Sequence, residues 1–257
     1  MRRFQIKIFL VYLVQSLIIG GREYRVVIDV NMPFYVAPEQ LMEDRADYAR
    51  KGIARGRSLI GFTYEEGILI VAENASNTLR KVSEIYDRIA FAGVGKYNEF
   101  DQLRIAGVRH ADLKGYSFSR EDVDARSLAN QYAQMLGQIF THEMKPMEVE
   151  ILVAEIGQAE EPSSSQLFHI LYDGTVKDHS DYAVLGGDAE VIYERFSDTY
   201  IENLSLASGI QSAINALAGP DRVLEPDDLE VAELSHANGR RSFRRIEGDE
   251  LSGLMPT

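Results

Sequence analysis

The order in which the apolar runs arrive leaves few folds open to this chain. Two short runs, Ser58 to Thr63 and Gly67 to Ala72, are joined by Tyr64, Glu65 and Glu66, with Gly67 closing a tight hairpin. Ile89 to Val94 reads as a third buried strand. A helix follows Gly95, carrying Tyr97, Phe100, Leu103 or Arg104, Gly107, Val108 and Ala111 at helical spacing. The next helix bears a stripe of Ala125, Ala129, Tyr132, Leu136, Ile139 and Phe140. Ser119 and Asp122 read as its capping box and Pro146 as its stop. Strands then return: Val149 to Ile156, Leu167 to Tyr172, and Thr175 to Lys177 across an Asp173-Gly174 two-residue turn. Asp181 to Leu185 completes this group before Gly186-Gly187. Two further helices carry Val191, Ile192, Phe196 and Tyr200, then Leu206, Ile210, Ala213, Ile214 and Leu217, the second stopped by Gly219-Pro220. Leu229 to Leu234 and Ser242 to Ile246 pair around Asn238-Gly239. Strand groups separated by helix pairs argue for antiparallel sheets covered by helices rather than alternating βαβ units. With no internal repeat or linker, the region reads as one domain.

Ahead of the first hairpin lies an amphipathic helix. Pro38 suits its first position and Glu39 its positive end. Met42, Ala46, Ala49 and Ile53 share one face, while Glu43, Asp44, Asp47 and Arg50 point elsewhere. The connection Ala49-Arg50-Lys51-Gly52-Ile53, the hairpin ending Val71-Ala72-Glu73, and the run from Leu79-Arg80-Lys81-Val82 to Tyr86-Asp87-Arg88 together resemble an α-type subunit of the 20S proteasome, closest to the actinobacterial kind. The resemblance spans residues 32 to 246. It implies a four-layer αββα sandwich of the N-terminal-nucleophile hydrolase type, two antiparallel sheets between helical layers.

Residues 1 to 31 differ in character. Arg2, Arg3 and Lys7 precede an apolar run from Ile8 to Ile19, similar to a signal peptide but followed by a poor cleavage pattern at Gly20-Gly21-Arg22-Glu23 and too short to span a membrane comfortably. Met32-Pro33-Phe34-Tyr35 looks like the start of the family's subunits. The upstream segment is therefore expected to be a leader from a start codon called too early, with a genuine extension and a secretory signal as alternatives.

Such hydrolases need a Thr, Ser or Cys at a freed N-terminus, with a lysine and an acid tuning it. Laid against the catalytic β-type relatives, the chain has Arg57 at the threonine position and Ser58 beside it, while the acid and lysine positions fall on Glu73 and Lys81. The resemblance thus implies a non-catalytic subunit. An active amidohydrolase using Ser58 is the rival reading. A lysine that looks equivalent to Lys81 lies, in the family, between adjacent α-subunits and receives the C-terminal carboxylate of a regulator. A structural lysine paired with Glu73 or Glu84 is the alternative. Pro33, Phe34, Tyr35 and Val36 fall, by resemblance, at the axial pore as the gate. The implied partners are α-subunits in a sevenfold ring, proteasome β-subunits, a ring-shaped AAA ATPase and tagged protein substrates, in the cytoplasm and without a cofactor. After Ile246 the longer regulatory tail of some relatives is not obvious.

The remaining signals are weaker. A net charge of −13, from 40 acidic and 27 basic residues, argues against nucleic acid or an anionic membrane as the main partner. The absence of cysteine excludes disulfides and thiolate chemistry. Gly93-Val94-Gly95-Lys96 fails as a phosphate loop, since Tyr97 follows where Ser or Thr is needed. His110, His142, His169, His179 and His236 have no ligand spacing. Arg240, Arg241, Arg244 and Arg245 are expected on a solvated face or against an acidic neighbouring subunit. Asn74-Ala75-Ser76 matches a glycosylation sequon by chance.

Overall fold

The computed structural model describes residues 13–19, 22–28, 37–76, 78–157 and 164–256. The chain divides into two units, residues 1–41 and residues 42–257. In the first, β1 (Leu13–Ile19) and β2 (Arg22–Ile28) form an antiparallel two-stranded sheet, with Leu13 opposite Ile28. Helix α1 (Pro38–Ile53) then begins, and its last turns belong to the second unit.

The second unit contains two five-stranded antiparallel sheets. One has the order β10 (Tyr182–Leu185), β3 (Leu59–Tyr64), β4 (Gly67–Glu73), β11 (Leu229–Ser235), β12 (Phe243–Ile246). The other runs β5 (Val82–Tyr86), β6 (Ile89–Gly95), β7 (Val149–Glu155), β8 (Gln166–Ile170), β9 (Val176–His179). Helices α2 (Tyr97–Ser117) and α3 (Ala125–His142) cover the second sheet, and α4 (Ala189–Ser197) and α5 (Leu206–Ala218) cover the first. A short α6 (Gly248–Leu254) packs beside α5 through Leu251.

The two-residue period of the strands builds the layers. Leu59, Ile68, Ile70 and Ala72 of one sheet meet Ala92, Val94, Leu152 and Ala154 of the other in a central core. The alternate residues Ile60, Phe62, Leu69 and Val71 face Phe196, Ile210 and Ile214. Phe91, Ile151 and Val153 face Leu103, Leu128 and Tyr132. Sheets buried on both faces need apolar residues at every position, so these strands read as continuous runs rather than alternating ones. The inter-sheet distance is tight at Gly61: a β-carbon there would lie 2.3 Å from Leu152 Cδ2, so a larger residue would require the Leu152 side chain to shift.

Helix α1 is fastened to α3 by one side chain. Arg45 donates from Nε to the Phe140 carbonyl (2.7 Å), one that the end of α3 leaves open, and from Nη2 to that of Ile139 (3.2 Å), which also accepts from Glu143 N. Burial along α1 deepens toward its end, where Ala49, Gly52 and Ile53 are buried.

Several expectations change in detail. Ser119 caps only a 3-10 turn at Arg120–Asp122, accepting from Glu121 N, and α3 is capped by Asp124, whose side chain accepts from Ser127 N at 2.7 Å. An intervening extended Val123 prevents one continuous helix. The Asp173-Gly174 hairpin has three residues in its loop, since Leu171 N bonds Thr175 O and Ile170 pairs with Val176. Strand β5 and helix α6 were not expected. Tyr200 lies beyond the end of α4, and α3 stops at His142, before Pro146.

Candidate functional site

The turn out of α1 is closed by Gly56 N on Ile53 O (2.8 Å), and it delivers Arg57 and Ser58 to the head of β3. Ser58 is buried, at 5 % exposure. Its carbonyl accepts from Glu73 N at 3.1 Å, which stitches it to the end of β4. Gly186, at φ +121, lies over its hydroxyl so closely that a β-carbon would sit 2.5 Å from Ser58 Oγ. Its nitrogen is an amide within the continuous chain rather than a free amine.

Around position 57 the expected companions do assemble. Glu73, 8 % exposed, receives Arg222 Nη1 at 2.9 Å and Nη2 at 3.2 Å, and Arg57 Nη1 stands 3.2 Å from its Oε1. Arg222 is itself held by the carbonyls of Leu217 (2.7 Å) and Ala218 (3.3 Å) at the end of α5. Lys81 is half-buried, and its ammonium donates to the Arg57 carbonyl at 2.6 Å. Burial, aided by the nearby Arg57 charge, pulls its pKa down to about 8 against the opposing pull of Glu73 and Glu230. Neither acid offered by the structural-lysine alternative is its direct partner: Glu84 is taken by Arg241, and Glu73 by the two arginines.

The backbone carrying Lys81 is positioned by a residue that sequence reasoning missed. Glu230 on β11 is 3 % exposed and accepts from Lys81 N (2.8 Å), Val82 N (3.2 Å) and Asn74 Nδ2 (3.0 Å), with Arg245 as counter-ion. A charge in an apolar strand was its only signal. Asn74 also donates to Leu79 O, so the side chain of the chance sequon is committed to this loop.

Within the basic cluster Arg240 pairs with Asp87, Arg241 with Glu84, Arg244 with Glu233 and Glu250, and Arg245 with Glu230; the side chains of Arg240 and Arg241 stay 72% and 71% exposed, in keeping with the expected solvated face. Of the histidines, His169 and His179 come together across β8 and β9, with ring centroids 6.2 Å apart, and His169 Nε2 lies 3.4 Å from Glu150. Among the described residues, no group of three or more potential ligands is arranged to hold a metal. Pro33, Phe34, Tyr35 and Val36 lie outside the described residues.

Beside Arg57, Glu73 and Arg222 opens a cleft of ≈ 640 Å³, also lined by Ser58, Asp188 and Arg195. Two antiparallel sheets between helix pairs, with an acid and a lysine gathered at the head of β3, define the N-terminal-nucleophile hydrolase class of fold. The proteasome subunit family model matches residues 53–233, and the chain belongs to that family. A proteasome subunit alpha of Acidimicrobium ferrooxidans is 66% identical over 222 residues, covering 86% of this chain and 95% of its own. Those of Thermobifida fusca (51% over 229 residues; 88% and 91%) and Xylanimonas cellulosilytica (52% over 234 residues; 87% and 95%) are also similar. These relatives place the chain with the α-type subunits of actinobacterial proteasomes.

Proposed function

We propose that the chain is a non-catalytic ring subunit that scaffolds the proteasome core, gates its entrance and docks a regulatory ATPase. What supports this reading is the gathering of Glu73 and Lys81 around Arg57, inside a continuous peptide, at the position where the resemblance to catalytic β-type chains implies threonine. A site that retains its supporting acid and lysine but has no reactive end has lost the hydrolytic step. Its lysine is then open to another use. An ammonium is a compact charge with three donors, suited to a peptide's terminal carboxylate, and one Lys81 donor is engaged by a carbonyl.

In this reading seven copies form the outer ring with α1 at their contacts. The β-subunits beneath cut the substrate, and residues 32–36 form the axial gate. Tagged proteins enter from an AAA ATPase in the cytoplasm. Among the described residues no helix is long and apolar enough to cross a membrane.

Co-expression with the organism's β-subunit tests the assignment. The α chain should keep an unprocessed start in intact-mass measurement, and an epoxyketone probe should label only the β chain. Ser58→Ala should leave the number of labelled sites unchanged. Label on the α chain that disappears in Ser58→Ala would establish the rival amidohydrolase instead.

A further inference from the structure

A terminal carboxylate presents two oxygens with about four acceptor positions, and a single ammonium cannot satisfy both oxygens in a partly buried site. Docking at Lys81, on which this inference rests, therefore calls for a second donor. Three arginines lie close in the chain or in space. Arg245 is tied to Glu230 and to the Val82 carbonyl, and Arg80 to Glu247. Arg57 is different. Its carbonyl already holds the Lys81 ammonium, while its side chain, 65% exposed, makes one contact of 3.2 Å with Glu73.

That contact is dispensable for Glu73. The carboxylate is nearly buried and cannot be left without a cation, but Arg222 covers both of its oxygens and is anchored by two carbonyls of α5. Arg57 can therefore leave Glu73 without stranding a charge. Arg57 and Lys81 lie near enough to act on each other electrostatically, with Glu73 and Glu230 as the stronger, opposing charges on Lys81. The cleft of ≈ 640 Å³ beside Arg57 gives its side chain room to turn.

We propose that Arg57 is the second cation of the carboxylate site at Lys81, and that Arg222 is a positioning residue that frees Arg57 by satisfying Glu73 in its place. The ligand class is a peptide with a free C-terminal carboxylate.

The test uses the core particle assembled with its β-subunit and two probes: the C-terminal heptapeptide of the organism's ring ATPase as the free acid, and the same peptide as its amide. Arg57→Gln should weaken binding of the acid about tenfold, the usual effect of losing one charge-assisted hydrogen bond, and leave the amide unaffected. Arg222→Gln should weaken the acid comparably although Arg222 does not touch it, because Arg57 is then held by Glu73. The double variant Glu73→Gln with Arg222→Gln should restore binding, which a merely structural Arg222 would not allow. If Lys81→Gln weakens the acid but Arg57→Gln does not, or if Arg57→Gln weakens acid and amide alike, the proposal is overturned and docking at Lys81 stands. If Lys81→Gln binds the acid as the unmodified particle does, the docking reading fails and takes this proposal with it.

Discussion

Single side chains carry the pH behaviour. At the proposed dock a carboxylate would bind the ammonium form of Lys81, and burial pulls that pKa down to about 8. Peptide affinity should therefore hold below that pH and fall as pH rises through it, by about tenfold per unit beyond. A titration of dissociation constants checks this, and Lys81→Arg should carry the fall out of the accessible range. An affinity flat through pH 8 would mean that no ammonium is used. His179 acts in the opposite direction. Burial chiefly holds its pKa below the ordinary value of 6.5, helped by His169 and Lys177 and opposed by Asp178 and Asp181. The unfolded chain thus takes up the proton first, and stability present above pH 6.5 is lost as pH falls below it. Urea melts at descending pH should show this slope, reduced in His179→Gln. At this scale the sequence was a partial guide. Glu73 and Lys81 were legible because a family motif carries them. Arg222 was not, because it lies 149 residues from Glu73 and only folding joins them.

Strands and helices were more legible than their ends. Runs such as Ile68 to Ala72 announce themselves because both sheet faces are buried. Strand β5 was hidden by its half-buried Ser83 and Glu84, and because the Lys81 and Val82 amides bond a Glu230 carboxylate, which leaves no local pattern. Caps were misread for a different reason. Ser119 and Asp124 are both good cap residues, and which one starts α3 depends on Val123 staying extended and buried. The distinction has a measurable consequence. Asp124→Ala should cost about 1 kcal/mol, lowering Tm by roughly 2–4 °C in a chain of this size, whereas Ser119→Ala should cost less because its turn is only three residues long. Between layers the stakes are larger. Phe62 is fully buried, with its ring 5.1 Å from that of Phe196 and 6.4 Å from Tyr200. Phe62→Ala should cost about 3–5 kcal/mol in chemical denaturation.

For the whole molecule, charge and chemistry point outward to other chains. The net charge is −13, and the arginines near the end of the chain are each paired with an acid of the same chain. In the proposed reading, with Ser58 buried beneath Gly186 and Arg57 at the position where the resemblance implies threonine, the chain would control passage rather than cleavage. The proposed function has two separable controls, a gate at residues 32–36 and a dock at Lys81. In the assembled particle, deleting Met32 to Val36 should raise hydrolysis of short peptides while the number of epoxyketone-labelled β sites stays constant, because entry alone has changed. Lys81→Ala should abolish stimulation by the ATPase but leave that basal rate untouched. Combining the two should give a particle that is fast with or without ATPase, since an absent gate no longer needs a key. If the deleted particle is no faster than the intact one while its β sites label normally, residues 32–36 do not obstruct the pore, and the rate must be limited inside the chamber.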